Sequence, residues 1–326
     1  MTSKTACALV TGGAGFIGSH LVEELVRRDI PVTVFDSLST GRLSNLAAVT
    51  NRVELVRGDL VVDDVRALLS ERRFGTIFHL AGNANVTGSV ENPRNDFERN
   101  VIGTFHLLEA VRASSLDSTV IFASSAVVFG EGATVPIRED DPKLPTSPYG
   151  VSKLSCEHYV RLFAELYGLR TVTARMFSVY GPRLRKQAVY DFMVKLQHNP
   201  DELFIHGDGT QVRDMSHIST MVAAMLLLAE CAPCRGESYN VASGDAVSIA
   251  QLARALAEAM QLDPKFVFSG TVRAGETQRW FPDTSRLRAL GFRPGLGLSE
   301  GLADVVRWFR TQQVNKEAAE PLKDKT

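Results

Sequence analysis

The chain has 326 residues, 44% hydrophobic and 22% charged, with 36 Lys and Arg against 37 Asp and Glu for a net charge of −1. That is the make-up of a soluble globular enzyme with room for one large domain and a smaller one. Nucleic acid and anionic membrane surfaces are excluded as partners by the balanced charge, a transmembrane helix by the lack of a long uncharged apolar span, and a disulfide framework by the four scattered cysteines.

The first strand starts too near the N-terminus to follow a signal peptide, which predicts a cytoplasmic protein. Ala8, Leu9 and Val10 form an apolar run that meets a glycine cluster. Apolar residues then recur at helical spacing through Ile17, Leu21, Val22, Leu25 and Val26. The pattern is a buried strand turning tightly into a helix. The glycines fall at Gly12, Gly15 and Gly18. In that order they permit the turn, the approach of a pyrophosphate to the backbone, and close packing of helix on strand. The helix aims its unpaired N–H groups and positive end at the phosphates. A second strand, residues 32–35, ends in Asp36, where the dinucleotide fingerprint expects an acid. Such a carboxylate holds the ribose hydroxyls of NAD and repels the 2′-phosphate of NADP, so NAD is the expected cofactor.

Strand and helix patterns then alternate, which predicts an α/β fold with a doubly wound parallel sheet. Residues 53–57 are a third strand followed by Asp59 and Leu60; Asp59 either accepts from an adenine amino group or caps the next helix. A fourth strand, 76–80, opens into the small residues Ala81 and Gly82, leaving room for a ligand at the sheet edge. The helix expected over about 92–113 carries Phe97, Val101, Phe105, Leu108 and Val111, and Asn100 interrupts this apolar series. Asn100 is either a buried amide bonded near the cofactor or a partly exposed helix residue. A fifth strand, 119–123, leads into Ser124 and Ser125, and a loop over 130–148 lies across the site. Thr146-Ser147-Pro148 is a helix start. A sixth strand spans 171–175. Beyond residue 183 the alternation weakens, and the chain is expected to leave the sheet for a second lobe, returning at 222–228 and 239–241. A last helix is expected over about 301–309, with a frayed tail after it. Cys231 and Cys234 have metal or redox spacing, but no second pair or His cluster completes a site, so no metal is expected.

Tyr149 and Lys153 stand four apart on the helix after Pro148 and share a face, with Ser125 at the end of the preceding strand. A phenol ionises near pH 10. An ammonium neighbour and a positive nicotinamide ring both favour the phenolate, which makes Tyr149 a base for an alcohol whose hydride leaves for NAD. Ser125 would hold the same oxygen, and Lys153 the nicotinamide ribose.

The stretches Thr11-Gly-Gly-Ala-Gly-Phe-Ile-Gly-Ser-His-Leu21, Phe78-His-Leu-Ala81, Ser124-Ser-Ala-Val-Val-Phe-Gly130, Tyr149-Gly-Val-Ser-Lys153, Val179-Tyr-Gly-Pro-Arg183 and Gly207-Asp-Gly-Thr-Gln-Val-Arg-Asp214 together resemble the extended short-chain dehydrogenase/reductases, the family of nucleotide-sugar epimerases and dehydratases. The resemblance implies a Rossmann domain over 1–176 with 213–246, a smaller discontinuous nucleotide-sugar lobe over 177–212 with 247–312, and a frayed tail over 313–326. It implies that Asp36 and Ser37 hold the adenosine ribose and that Leu80, Ala81 and Gly82 line the cofactor. It extends the cofactor contacts to Phe16, Ile17, Ala123, Ser124 and Met176. Ser125, Tyr149 and Lys153 are the implied catalytic residues, and Ser178, Arg213 and Arg273 the implied substrate contacts, the arginines clamping a diphosphate unless they serve as surface ion pairs. Dehydratases of the family carry an Asp-Glu pair after the catalytic hydroxyl residue, and UDP-glucuronate decarboxylases a Glu; this chain has Ala126 and Val127. The fragment is similar instead to that of the UDP-glucose (UDP-galactose) 4-epimerases, with a decarboxylase or other 4-keto chemistry as the alternative. Departures from the pattern include Ser178 in place of an Asn and Met215 in place of an aromatic. Trp280 either limits sugar size or belongs to the core, and Arg183 or Arg279 would meet the carboxylate of a uronic acid sugar. Relatives commonly pair as homodimers through the helices near 92–113 and 149–167.

Overall fold

The chain enters on β1 (Cys7–Thr11), buried along Ala8 to Thr11, and turns through Gly12 into α1 (Phe16–Arg27). The computed structural model describes residues 7–114, 117–130, 133–271 and 278–319. Next come β2 (Val32–Asp36), β3 (Val53–Arg57), α2 (Arg66–Glu71) and β4 (Phe74–His79). They are followed by α3 (Val86–Glu91), α4 (Pro93–Phe97), a π turn over Glu98–Ile102, α5 (Gly103–Ser114), β5 (Thr119–Ser125), α6 (Pro148–Tyr167) and β6 (Arg170–Met176). After an excursion the chain returns as α8 (Ile218–Cys231) and β11 (Arg235–Val241).

Seven strands form one sheet in the order β3-β2-β1-β4-β5-β6-β11, each pair parallel. The order reverses between β1 and β4, and a crevice opens beyond the strand ends at such a switch point. Helices cover both faces, as a parallel sheet requires. On one side Leu21, Val22 and Leu25 of α1 pack with Met221 and Met225 of α8; on the other, Leu69, Leu107 and Val111 join Phe74 and Val120.

The elements outside the sheet are β7 (Val179–Tyr180), α7 (Gln187–His198), β8 (Glu202–Ile205), β9 (Val212–Asp214), β10 (Ser216–His217), β12 (Ala246–Ser248), α9 (Ile249–Met260), β13 (Lys265–Phe268), β14 (Arg279–Trp280), α10 (Ser285–Arg288) and α11 (Leu298–Ala319). They carry a core of their own, in which Phe192 and Met193 meet Leu252, Leu256, Val305 and Phe309. Small sheets β8/β13 and β12/β9/β14 edge it.

The structure differs from the pattern in two places. The helix expected over 92–113 is broken: Asn92 caps α4, accepting the Asn95 N–H at 3.1 Å, and the π turn sets α5 on a new phase. A π turn inserts one residue into the helical ladder. Asn100, within this turn, is buried, while Phe97, on the apolar stripe of an unbroken helix, is exposed. The last helix runs from Leu298 to Ala319, longer than 301–309 at both ends. No helix of the described residues is long and apolar enough to cross a membrane.

Candidate active site

A cleft of about 450 Å³ follows the strand ends from β2 across the switch point to β5 and β6. The glycine turn forms its floor. A Cβ on Gly12, where φ is +70°, would lie 2.7 Å from the Ala81 nitrogen, and one on Gly18 would lie 2.2 Å from the Gly12 carbonyl oxygen. Only glycine permits that approach of α1 to β1 and of β1 to the β4 end. Gly15, Phe16 and Ile17 then face the cleft at the start of α1, whose first N–H groups have no intrahelical partner.

At one end Asp36 is buried; its Oδ2 accepts the Ala14 N–H at 2.9 Å and its Oδ1 the Leu38 N–H at 2.8 Å. Ser37, Asp59 and Leu60 line the same end. Asp59 Oδ1 accepts the Val61 N–H at 3.0 Å, so it caps a turn and faces the cleft at once. Leu80, Ala81 and Gly82 form the middle wall, and Ala123, Ser124 and Met176 the far one. Asn100 lies behind the wall. Its Oδ1 accepts the Asn83 N–H at 3.1 Å, so it holds the loop after β4 rather than facing the cleft.

Ser125, Tyr149 and Lys153 meet at the far end. Ser147 accepts the Gly150 N–H at 3.2 Å and Pro148 follows it, which starts α6 where the sequence predicts and points Tyr149 and Lys153 at the end of β5. Lys153 Nζ donates to the Ala123 carbonyl at 3.0 Å and sits 6.0 Å from the centre of the Tyr149 ring. Ser125, at the end of β5, stands beside Tyr149. Burial pushes the Tyr149 phenol up to about 12, while Ser125 pulls the other way. Burial likewise lowers Lys153, against the pull of Cys156, Asp96 and Glu157. The expectation is that an ammonium neighbour and the nicotinamide ring together favour the phenolate; among the chain's own groups, burial sets the direction at Tyr149 and raises it.

Behind the group lies a buried ion pair. Glu157, one turn beyond Lys153, accepts from Ser124 Oγ at 2.6 Å and from Arg175 Nε and Nη2 at 3.0 and 2.7 Å. Arg175 Nη1 also donates to the Glu139 carbonyl at 2.8 Å, tying β6 to the loop before α6.

Other expected residues stand elsewhere. Arg213 on β9 donates to the Val212 and Gln278 carbonyls at 2.9 and 3.4 Å and does not line the cleft. Arg273 lies outside the described residues. Arg183 is tied to Ser19 and Glu23 of α1, and Arg279 lies 5.4 Å over the Phe281 ring, so neither faces the cleft. Ser178 and Trp280 do line it, Trp280 against Phe177 at 6.0 Å. Two lining cations escape the sequence reading. Arg99 donates to Ser39 Oγ at 2.8 Å and Lys186 to the Ala84 carbonyl at 3.0 Å. Arg99 sits within the π turn, and nothing in local spacing marks Lys186.

The profile of the GDP-mannose 4,6-dehydratase family matches residues 9–305. A UDP-glucose 4-epimerase of Mycolicibacterium smegmatis is 35% identical over 93% of this chain and 98% of its own. A UDP-N-acetyl-α-D-glucosaminuronate decarboxylase of Bacillus cytotoxicus is 31% identical, over 94% and 98%, and a dTDP-glucose 4,6-dehydratase of Xanthomonas campestris 32%, over 94% and 93%. The solved UDP-glucose 4-epimerase of Thermotoga maritima with UDP-glucose superposes with a TM-score of 0.86 at 33% identity, over 94% of this chain and 99% of that one. That of Thermus thermophilus in complex with NAD gives 0.81 at 35%, over 93% and 98%. With the glycine cradle, the acid at the end of β2 and the Ser125, Tyr149 and Lys153 group in one cleft, the chain belongs to the extended short-chain dehydrogenase/reductases and is an NAD-dependent enzyme of the nucleotide-sugar epimerase and dehydratase group.

Proposed function

We propose that the chain is a nucleotide-sugar 4-epimerase that inverts C4 of an NDP-hexose of the UDP-glucose and UDP-galactose type through a transient 4-keto sugar. One observation carries the reading: Ala126 and Val127 line the cleft directly after Ser125. Neither side chain moves a proton. Elimination of a hydroxyl needs a further acid and base at this point, whereas inversion at C4 needs only the group that takes and returns one proton. Asp36 and Ser37 would hold the adenosine ribose of NAD, and the turn from Gly12 to Ile17 its pyrophosphate. When bound, NAD supplies the hydride acceptor and donor of a redox-neutral cycle.

Tyr149 receives the proton of the 4-hydroxyl and later returns it, while Ser125 holds the same oxygen by hydrogen bond. Lys153 is a buried ammonium beside the phenol that favours its ionised form and is placed to hold the nicotinamide ribose. Trp280 and Phe177 wall the sugar side, and a bulky wall disfavours an N-acetyl group. Residues 1–176 with 213–246 would bind the cofactor and 177–212 with 247–312 the nucleotide sugar, with Ser178, Arg213 and Arg273 on the latter. A homodimer fits the exposed stripe of Val151, Tyr159, Leu162 and Leu166 along α6, and a cytoplasmic setting fits the chain. Light scattering of a Leu162→Glu, Leu166→Glu variant tests the pairing, which predicts a monomer.

The deciding experiment is incubation with UDP-glucose or UDP-galactose without added NAD, followed by product analysis by NMR and mass. Interconversion is expected. Release of water, carbon dioxide or free NADH as the main outcome overturns the reading.

A further inference from the structure

Several elements bring charged or titratable groups around Tyr149 and Lys153. α4 contributes Asp96, α6 contributes Cys156 and Glu157, and β4 contributes His79. Glu157 is engaged by Arg175 from β6, with Lys143 of the loop before α6 close by. Burial holds His79 neutral, down at about 3, and pushes the Cys156 thiol up. Asp96 is different. Among the described residues no Lys or Arg pairs with it, although it is wholly buried.

Its Oδ1 accepts from Nδ2 of both Asn83 and Asn100 at 3.0 Å, and its Oδ2 has no hydrogen-bond partner. Asn100 Oδ1 in turn holds the Asn83 N–H. A Cβ on Gly82 would lie 2.5 Å from Asn100 Oδ1 and 3.8 Å from Lys153 Nζ, so carboxylate, amides, loop and ammonium are packed as one unit. An unpaired carboxylate oxygen in the interior is destabilising. Hydrogen bonding alone therefore does not account for an acid at this position.

We propose that Asp96 is a positioning residue of the epimerase reaction inferred above: through Asn83 and Asn100 it fixes the loop after β4 against the Tyr149–Lys153 pair. The sign of its charge's effect on that pair follows from electrostatics. A nearby negative charge stabilises the Lys153 ammonium against its burial, and it opposes the Tyr149 phenolate. Asp96 thus keeps the cation in place and makes the base harder to ionise, so removal of its charge moves both ionisations the same way.

The test is Asp96→Asn, which keeps an oxygen acceptor for the two amides while deleting the charge, with Asp96→Ala deleting both. The holoenzyme is titrated for tyrosinate by ultraviolet difference absorbance, with the same variant carrying Tyr149→Phe subtracted, and the pH profile of kcat is measured alongside. Asp96→Asn is expected to move the Tyr149 titration and both limbs of the profile toward acid by about half a pH unit or more. Asp96→Ala is expected to lower kcat at least tenfold with KM little changed. The tyrosinate titration needs no substrate, so it stands whichever sugar the enzyme takes. An Asp96→Asn protein that folds and titrates as the wild type does overturns the proposal, as does a shift toward alkali.

Discussion

Glu157→Ala strips the buried guanidinium of Arg175 of its counter-charge. Both side chains are about 5% exposed, and the truncation removes the 3.0, 3.1 and 2.7 Å bonds from Arg175 together with the 2.6 Å bond from Ser124. What remains to Arg175 is one hydrogen bond, to the Glu139 carbonyl at 2.8 Å, and its stacking 5.2 Å over the Phe129 ring, neither of which carries a counter-charge. A buried charge left unpaired in this way costs about 3–5 kcal/mol, a third or more of the stability of many proteins. In urea the midpoint should fall by roughly 1 M or more. The double change Glu157→Leu, Arg175→Met removes the stranded charge as well. It should therefore be more stable than Glu157→Ala, because an apolar pair of similar volume replaces an ion pair with little loss. Lys143 Nζ, 2.7 Å from the Glu139 carbonyl, keeps that oxygen satisfied. Equilibrium urea unfolding of the three proteins gives the comparison. A Glu157→Ala protein destabilised by less than about 1 kcal/mol, or a double variant no better than the single, refutes the account of a closed, desolvated pair.

Gly18→Ala places a carbon 2.2 Å from the Gly12 carbonyl, so α1 must withdraw from the turn; a loss of about 1–3 kcal/mol in stability and weaker NAD binding are expected from thermal unfolding and calorimetry. His79 bonds Thr11 and Thr104 at 2.8 and 2.9 Å and is held down at about 3, far below its unfolded value near 6.5. Between those values the unfolded chain binds a proton that the folded chain does not, so this contribution to stability is present above the unfolded value and is lost as pH falls. His79→Gln should flatten the pH dependence of unfolding free energy between roughly pH 4 and 6 by about 1.4 kcal/mol per pH unit, read from urea curves in that range. Trp280→Ala opens the wall beside Phe177 and should raise kcat/KM for an N-acetylhexosamine nucleotide relative to its plain hexose by about tenfold or more in a coupled product assay.

What the sequence made legible follows the range over which its signals act. The turn from β1 to α1 and the start of α6 are written within a few residues, in glycine spacing and in the Ser147-Pro148 cap, and both stand where that spacing puts them. Tyr149 and Lys153 share a face because a helix repeats every 3.6 residues, and Ser125 joins them because parallel strands end on one side of a sheet. Periodicity could not reveal the π turn at Glu98–Ile102, since one inserted residue changes which side chains face inward without changing composition. Asn100, within that turn, stands behind the cleft, and Arg99 lines it. Nor could spacing pair Glu157 with Arg175, or show that desolvation raises Tyr149, because both depend on what the folded chain packs around them. Helix α6 therefore carries two messages at a four-residue interval. Tyr149 and Lys153 face the cleft and can be read locally, whereas Glu157, one turn further on, has meaning only once β6 has brought Arg175 to it.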